Sequence, residues 1–175
     1  MNSLMCVNTG KAAFIFNQLT DLLRELDDLQ YRAPLPLFSG ASVGKHVRHI
    51  IEFFNCVRQA ESADSISYDD RSRDQILETE RLEAHHALVQ LKEVFMSLND
   101  RPVTLRGSLN PVENGDEWHM QSSLLREFYY AVEHAIHHMA IIKIGLQAAF
   151  PEVRVPDDFG IAPSTLRHEQ QLQAQ

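Results

Sequence analysis

The sequence predicts an all-α domain in the form of a four-helix bundle. Apolar residues recur at steps of three and four in four separate segments, and prolines interrupt the pattern between them. Hydrophobic residues make up 44% of the 175 residues, which is enough to bury one sizeable core. We therefore expect a single domain over residues 1–175, with a helical core at about 11–150 and a C-terminal tail at 151–175.

The first two helices are predicted at about 11–29 and 43–60. The first has an apolar face made of Ile15, Leu19, Leu22, Leu26 and Leu29. Pro34 and Pro36 end that helix, and Ser42 can cap the next one. The second helix has an apolar face made of Val43, Val47, Ile50, Phe54 and Val57.

The third and fourth helices are predicted at about 76–98 and 123–150, with a long connection between them. Prolines and glycines in this connection indicate a loop or a small hairpin around residues 103–105, where the sequence is strand-like. Pro151 ends the fourth helix. Residues 156–164 are expected to form an ordered turn that covers one end of the bundle.

Composition disfavours several classes of protein. Lysine and arginine total 16 against 24 aspartates and glutamates, and a net charge of -8 repels a phosphate backbone, so we expect no nucleic-acid partner. No apolar run reaches the roughly 20 residues that a membrane-spanning helix needs. The N-terminus lacks a signal-peptide pattern and the chain has two cysteines, so we expect a cytoplasmic protein.

Histidine is the unusual residue, because five of the nine lie in two short segments. His134 and His138 are one turn apart on the apolar side of the fourth helix, and His49 faces inward from the second. Three nitrogen ligands from facing helices leave open coordination positions, as catalytic metal sites require. We predict these three as ligands of a divalent metal ion, with His46 and His137 as alternates. Core histidines satisfied by hydrogen bonds are the competing interpretation.

Glu127 lies on the same inward stripe, two turns before His134. A buried carboxylate needs a partner. It could ligate the ion, orient a histidine or act as a base toward bound water, and the sequence leaves these three roles open.

Two segments of the sequence are similar to motifs of a known family. Residues 43–50 (Val-Gly-Lys-His-Val-Arg-His-Ile) and 133–138 (Glu-His-Ala-Ile-His-His) resemble the helix-two and helix-four motifs of the DinB/YfiT-like metalloenzymes, four-helix bundles found mainly in bacteria. The resemblance implies that the three predicted histidines bind the metal, and residues 126–128 imply that Glu127 lies nearby. It further implies a homodimer, and its better-understood members are thiol-dependent S-transferases.

Two functional hypotheses follow from these observations. In the first, the chain is a metal-dependent hydrolase or thiol-dependent S-transferase that acts on a small molecule, with a low-molecular-weight thiol as candidate cosubstrate. Zinc or nickel is the expected ion, with iron and manganese as alternatives. In the second, the metal is structural or absent, and the bundle serves dimerisation or partner binding, for which Leu82 and Val89 offer exposed aliphatic surface.

Overall fold

The computed structural model describes residues 6–7, 9–109 and 117–173. The helices in these ranges are α1 Ala13–Glu25, α2 Asp28–Arg32, α3 Val43–Gln59, α4 Gln75–Thr79, α5 Arg81–Val94, α6 Leu124–Ala149 and α7 Pro163–Gln173. The strands are β1 Cys6–Val7, β2 Ser65–Ser67, β3 Leu98–Asn99, β4 Pro102–Gly107 and β5 Trp118–Ser123. Short 3-10 helices at Gly10–Ala12 and Pro36–Phe38 precede α1 and α3.

The prediction of a pure all-α four-helix bundle is wrong, because a mixed three-stranded sheet is part of the fold. β2 pairs in parallel with β4, so that Ile66 lies opposite Leu105, and β4 pairs antiparallel with β5. β1 and β3 form a separate antiparallel pair. The hairpin considered around residues 103–105 is therefore present, as β4 and β5. β2 was missed because its three residues carry one buried apolar side chain, which is too little for a periodic signal.

Two of the predicted helices are each interrupted by a residue in an extended conformation. Leu26 takes an extended conformation after α1, and Asp27 then begins α2 with a capping box: its side chain accepts from the backbone N–H of Gln30, whose side chain accepts from the N–H of Asp27. Glu80 is extended between α4 and α5 in the same way. The apolar stripe continues across both breaks, which explains why periodicity alone predicted single helices.

α3 and α6 pack against each other and position the site. Each begins at a serine whose side chain accepts from a backbone N–H in the first turn, Ser42 for α3 and Ser123 for α6. Gly145 of α6 lies against the ring of Phe38, where a Cβ atom would overlap it. This glycine lets the segment before α3 approach α6 closely.

The C-terminal tail packs back onto α6. Phe159 is fully buried, and Gly160 has a φ of +71° where its Cα faces the backbone of Ala140. Lys143 Nζ donates to the Asp157 carbonyl at 2.6 Å. The turn expected at 156–164 is thus ordered against the bundle, while α7 beyond it was not predicted.

Within the described ranges, no helix combines the length and the apolarity that crossing a membrane demands.

Candidate metal centre

Three histidines from two helices converge between α3 and α6. α3 contributes His49, and α6 contributes His134 and His138 from successive turns. One ligand-capable nitrogen from each lies within 4.8 Å of the others. Nε2 of His49 is 2.9 Å from Nε2 of His134, and the ring centroids of His49 and His138 are 4.5 Å apart. The structure therefore brings together the three residues that the sequence nominated.

This nitrogen set fits a divalent transition-metal ion. Three imidazoles bound at about 2.0–2.1 Å to a tetrahedral ion would have their nitrogens roughly 3.4 Å apart. The closest pair at 2.9 Å and the outer limit of 4.8 Å bracket that separation. Imidazole is a ligand for zinc, nickel, iron and copper alike, so the donor set alone does not select the ion.

The three rings are half-buried, and burial keeps them neutral. Burial lowers the pKa of His49 to about 3, with further lowering by His138 and Arg71. Burial also lowers the pKa of His138 to about 4, with His134 as the next cause. The pKa of His134 is lowered for the same first reason. A neutral imidazole has a free lone pair, which is the form that binds a metal.

His46 contacts the cluster through His138. The Nδ1 atoms of the two rings are 2.8 Å apart, so one of them donates to the other. This contact leaves Nε2 of His138 for an ion and fixes the orientation of the ring. Phe38 holds His46 from the other side, with ring centroids 4.7 Å apart. His137, the other alternate, is exposed and stays outside the cluster.

An aromatic stack forms one wall of the centre. Phe53 stacks on His134 with centroids 4.0 Å apart, and Tyr68 stacks on Phe53 at 4.6 Å. The guanidinium of Arg71 lies 5.0 Å from the Phe53 centroid. Sequence reasoning missed all three side chains. Phe53 could have been found, since it lies four residues after His49, but Tyr68 and Arg71 lie in a segment without periodicity.

Glu127 is fully buried and is held by side chains other than the histidines. Its Oε2 accepts from the Tyr68 hydroxyl at 2.9 Å, and its Oε1 accepts from Ser122 at 2.5 Å and from Arg126 at 2.7 Å. Burial and the carboxylate together raise the pKa of Tyr68, which keeps the hydroxyl protonated as a donor. Through Tyr68 and Phe53, Glu127 is connected to the ring of His134.

Comparisons with known proteins give one partial relative. No family model and no solved structure matches the chain. FK506-binding protein 5 from Rhizopus delemar is 34% identical over 113 residues, which cover 59% of this chain and 27% of that protein. The chain thus spans about a quarter of the relative's length.

The identification of the chain as a DinB/YfiT-like metalloenzyme is wrong, because the relative that the chain matches is named an FK506-binding protein and no family model matches the chain. The physical reason lies in the motifs themselves. When two helices place three histidines around one point, at least two of the histidines lie on the same helix, one turn apart. This spacing therefore follows from the geometry of the site and does not show common ancestry. The four-helix bundle and the bacterial source that the resemblance implied lose their support together with the family.

Proposed function

We propose that His49, His134 and His138 hold a divalent metal ion and that the chain is a metal-dependent hydrolase or thiol-dependent S-transferase acting on a small molecule. The observation that carries the proposal is the convergence of three half-buried imidazole nitrogens within 4.8 Å. Zinc or nickel is the proposed ion, with iron and manganese as alternatives.

The residues around the histidines support a reactive rather than a closed site. Three protein ligands leave room for a further ligand, whereas structural zinc sites have four. A divalent ion supplies Lewis acidity, which brings the pKa of a coordinated water or thiol close to neutrality. His46 orients His138, and Phe53 covers one side of His134 against solvent.

Glu127 acts in this proposal as a positioning residue. Its carboxylate holds the Tyr68 hydroxyl, and the Tyr68 ring holds Phe53 against His134. Its two oxygens already accept from Tyr68, Ser122 and Arg126. Because these donors already occupy both oxygens, the contacts of Glu127 favour a role in orienting the histidines over the roles of ligand or base.

The experiment that tests the reaction starts from chelated protein reloaded with zinc or nickel. We would screen ester, amide and phosphoester hydrolysis, and the consumption of a thiol such as cysteine with electrophilic acceptors. Turnover that depends on the ion and is lost in His138→Ala, but kept in His86→Ala, supports the proposal. His86 is an exposed histidine on α5 and serves as the matched control. Bound metal without any turnover would leave the non-enzymatic alternative, a structural ion in an interaction domain.

A second candidate function is the binding of FK506, which the name of the relative gives. The observation that favours it is the 34% identity over 113 residues. Trp118 is the single tryptophan of the chain, so its fluorescence can report binding. Saturable quenching by FK506 supports this candidate. A flat titration at micromolar protein and ligand would remove it and leave the metal site as the proposal.

A homodimer and a cytoplasmic location complete the proposal. Leu82 and Val89 of α5 are 57% and 37% exposed, which supports a surface for a second copy. Cys56 is a buried free thiol whose pKa burial raises to about 11, which suits a reducing compartment. Light scattering of the protein and of Leu82→Glu tests the dimer, since a monomer in both samples would contradict it.

A further inference from the structure

A polar cavity of about 330 Å³ lies against the same helix as His49. α3 contributes Glu52, Asn55 and Arg58 to its wall, the segment after β2 contributes Arg71, and β4 contributes Arg106. Asp70 and serines of β2 and of the following segment also line it, beside a few apolar side chains. The lining is therefore rich in charges and hydroxyl groups, which suits a small polar ligand rather than an apolar one.

The charges of this wall leave Arg58 uncompensated. Arg106 is paired twice, with Asp70 at 2.6 Å and with Glu117 at 2.9 Å. Arg58 donates its Nε to the Asn55 amide oxygen at 3.2 Å, and no residue in the described ranges forms an ion pair with it. An exposed guanidinium at the edge of a cavity is a binding group for a carboxylate or a phosphate.

Two buried polar atoms in the same wall form no hydrogen bond with any described residue. Glu52 is 3% exposed, and its Oε1 accepts from the Asp74 backbone N–H at 2.8 Å. Its Oε2 lies 3.8 Å from Arg48 Nε but has no hydrogen-bond partner among the described residues, and neither does Arg71 Nε, which lies 4.0 Å from the same oxygen. A hydroxyl group between these two atoms would accept from Arg71 and donate to Glu52, which satisfies both.

We propose that this cavity binds a small anion that also carries a hydroxyl group. The oxyanion pairs with Arg58, and the hydroxyl bridges Glu52 and Arg71. Glu52 and Arg58 are six residues apart on α3, roughly 9 Å along the helix axis, so a six-carbon molecule reaches both. Hydroxycarboxylates and sugar phosphates share this chemistry. None of the metal-centre histidines lines the cavity, so binding does not depend on the ion.

Calorimetric titration of the chelated full chain tests the proposal. The probes are gluconate and glucose 6-phosphate, with glucose as the uncharged control and acetate and inorganic phosphate as anions without hydroxyl-bearing carbon. We expect gluconate or glucose 6-phosphate to bind at least tenfold more tightly than glucose, acetate or phosphate, and the stronger of the two identifies the anion. Equal binding of glucose, or no binding of either anion at millimolar concentration, overturns the proposal.

Two variants locate the binding. Arg58→Gln changes an exposed side chain and should weaken the anion at least tenfold, while Arg24→Gln, an exposed arginine of α1 away from the cavity, should leave it unchanged. Arg71→Lys keeps the charge but removes the Nε donor, so it should abolish the preference for the hydroxylated anion. Equal affinity in Arg58→Gln and Arg24→Gln overturns the assignment. Because the protein is metal-free throughout, failure of the metal proposal cannot affect this result.

Discussion

α3 contributes to two polar clusters that respond to burial in opposite ways. At His49, burial lowers the pKa to about 3, so the ring is neutral. Three residues further along, Glu52 lies 3.8 Å from Arg48 and 4.0 Å from Arg71. A group with an accessible neutral form sheds its proton when buried, whereas arginine stays charged and is paired instead. The first cluster can therefore take up a cation, and the second ties α3 to the segment after β2.

The largest expected effect comes from breaking the second cluster. Glu52→Ala removes the carboxylate that faces Arg48 and Arg71 and leaves the partly buried Arg71 without an acidic partner. We expect a loss of about 3–5 kcal/mol in the free energy of unfolding, measured by urea denaturation. Glu61→Ala, which changes an exposed carboxylate just beyond α3, is the control and should stay within about 0.5 kcal/mol. A Glu52→Ala protein as stable as that control would show that the charges do not stabilise the fold.

A smaller loss is expected for the carboxylate that supports the histidine cluster through Tyr68 and Phe53. Glu127→Gln keeps the size of the side chain but weakens its bonds from Tyr68, Ser122 and Arg126. The free energy of unfolding should fall by about 1.5–3 kcal/mol, and Glu133→Gln on the same helix should change little. Equal stability of the two variants in urea would contradict the positioning role of Glu127.

A substitution at Gly145 tests the packing of Phe38 against α6, next to His46. Ala at this position would place a Cβ into the ring of Phe38, which contacts His46 at 4.7 Å. We expect Gly145→Ala to lower the free energy of unfolding by about 1–3 kcal/mol. Helix propensity alone predicts the opposite sign, a gain of roughly 1 kcal/mol. Thermal or urea unfolding decides between them, and a stabilised variant would refute the contact.

The histidine cluster should also make the stability of the metal-free protein depend on pH. The pKa values of His49 and His138 in the folded protein, about 3 and about 4, lie below the ordinary value of 6.5. Below pH 6.5 the unfolded chain therefore binds more protons, so metal-free protein should lose stability as the pH falls from 6.5 toward these values. Urea unfolding at pH 7.5, 6.5 and 5.5 measures this loss. His138→Gln should show a shallower decline, and identical slopes would contradict the account.

The histidine geometry could be predicted from the sequence because it follows from helix periodicity. His134 and His138 are one turn apart on a stripe whose apolar residues are buried, and the same holds for His49 on α3. Tyr68 and Arg71 could not be predicted, since they reach the site from an irregular segment whose path depends on the pairing of β2 with β4. Glu127 was located on the right stripe, but two of its three partners, Tyr68 and Ser122, belong to that same segment and to β5.

The fold shows the same division between local and long-range signals. Ser42 caps α3 as predicted, and Ser123 caps α6 close to the predicted start of the fourth helix. The break before α2 had a readable signal that was overlooked, since Asp27 and Gln30 have capping-box spacing. The parallel pairing of β2 with β4 had none, because it joins residues almost forty positions apart in sequence.

The central claim is that three histidines hold a metal ion, and elemental analysis of tag-free protein tests it most directly. We would compare the natural sequence with His49→Ala, His134→Ala and the exposed control His86→Ala, all purified without added chelator. The account predicts close to one zinc or nickel ion per chain in the natural protein and in His86→Ala, and less than about a tenth of that in the other two variants. Metal-free natural protein that cannot be loaded with zinc, nickel, iron or manganese would contradict it, as would full occupancy in His134→Ala.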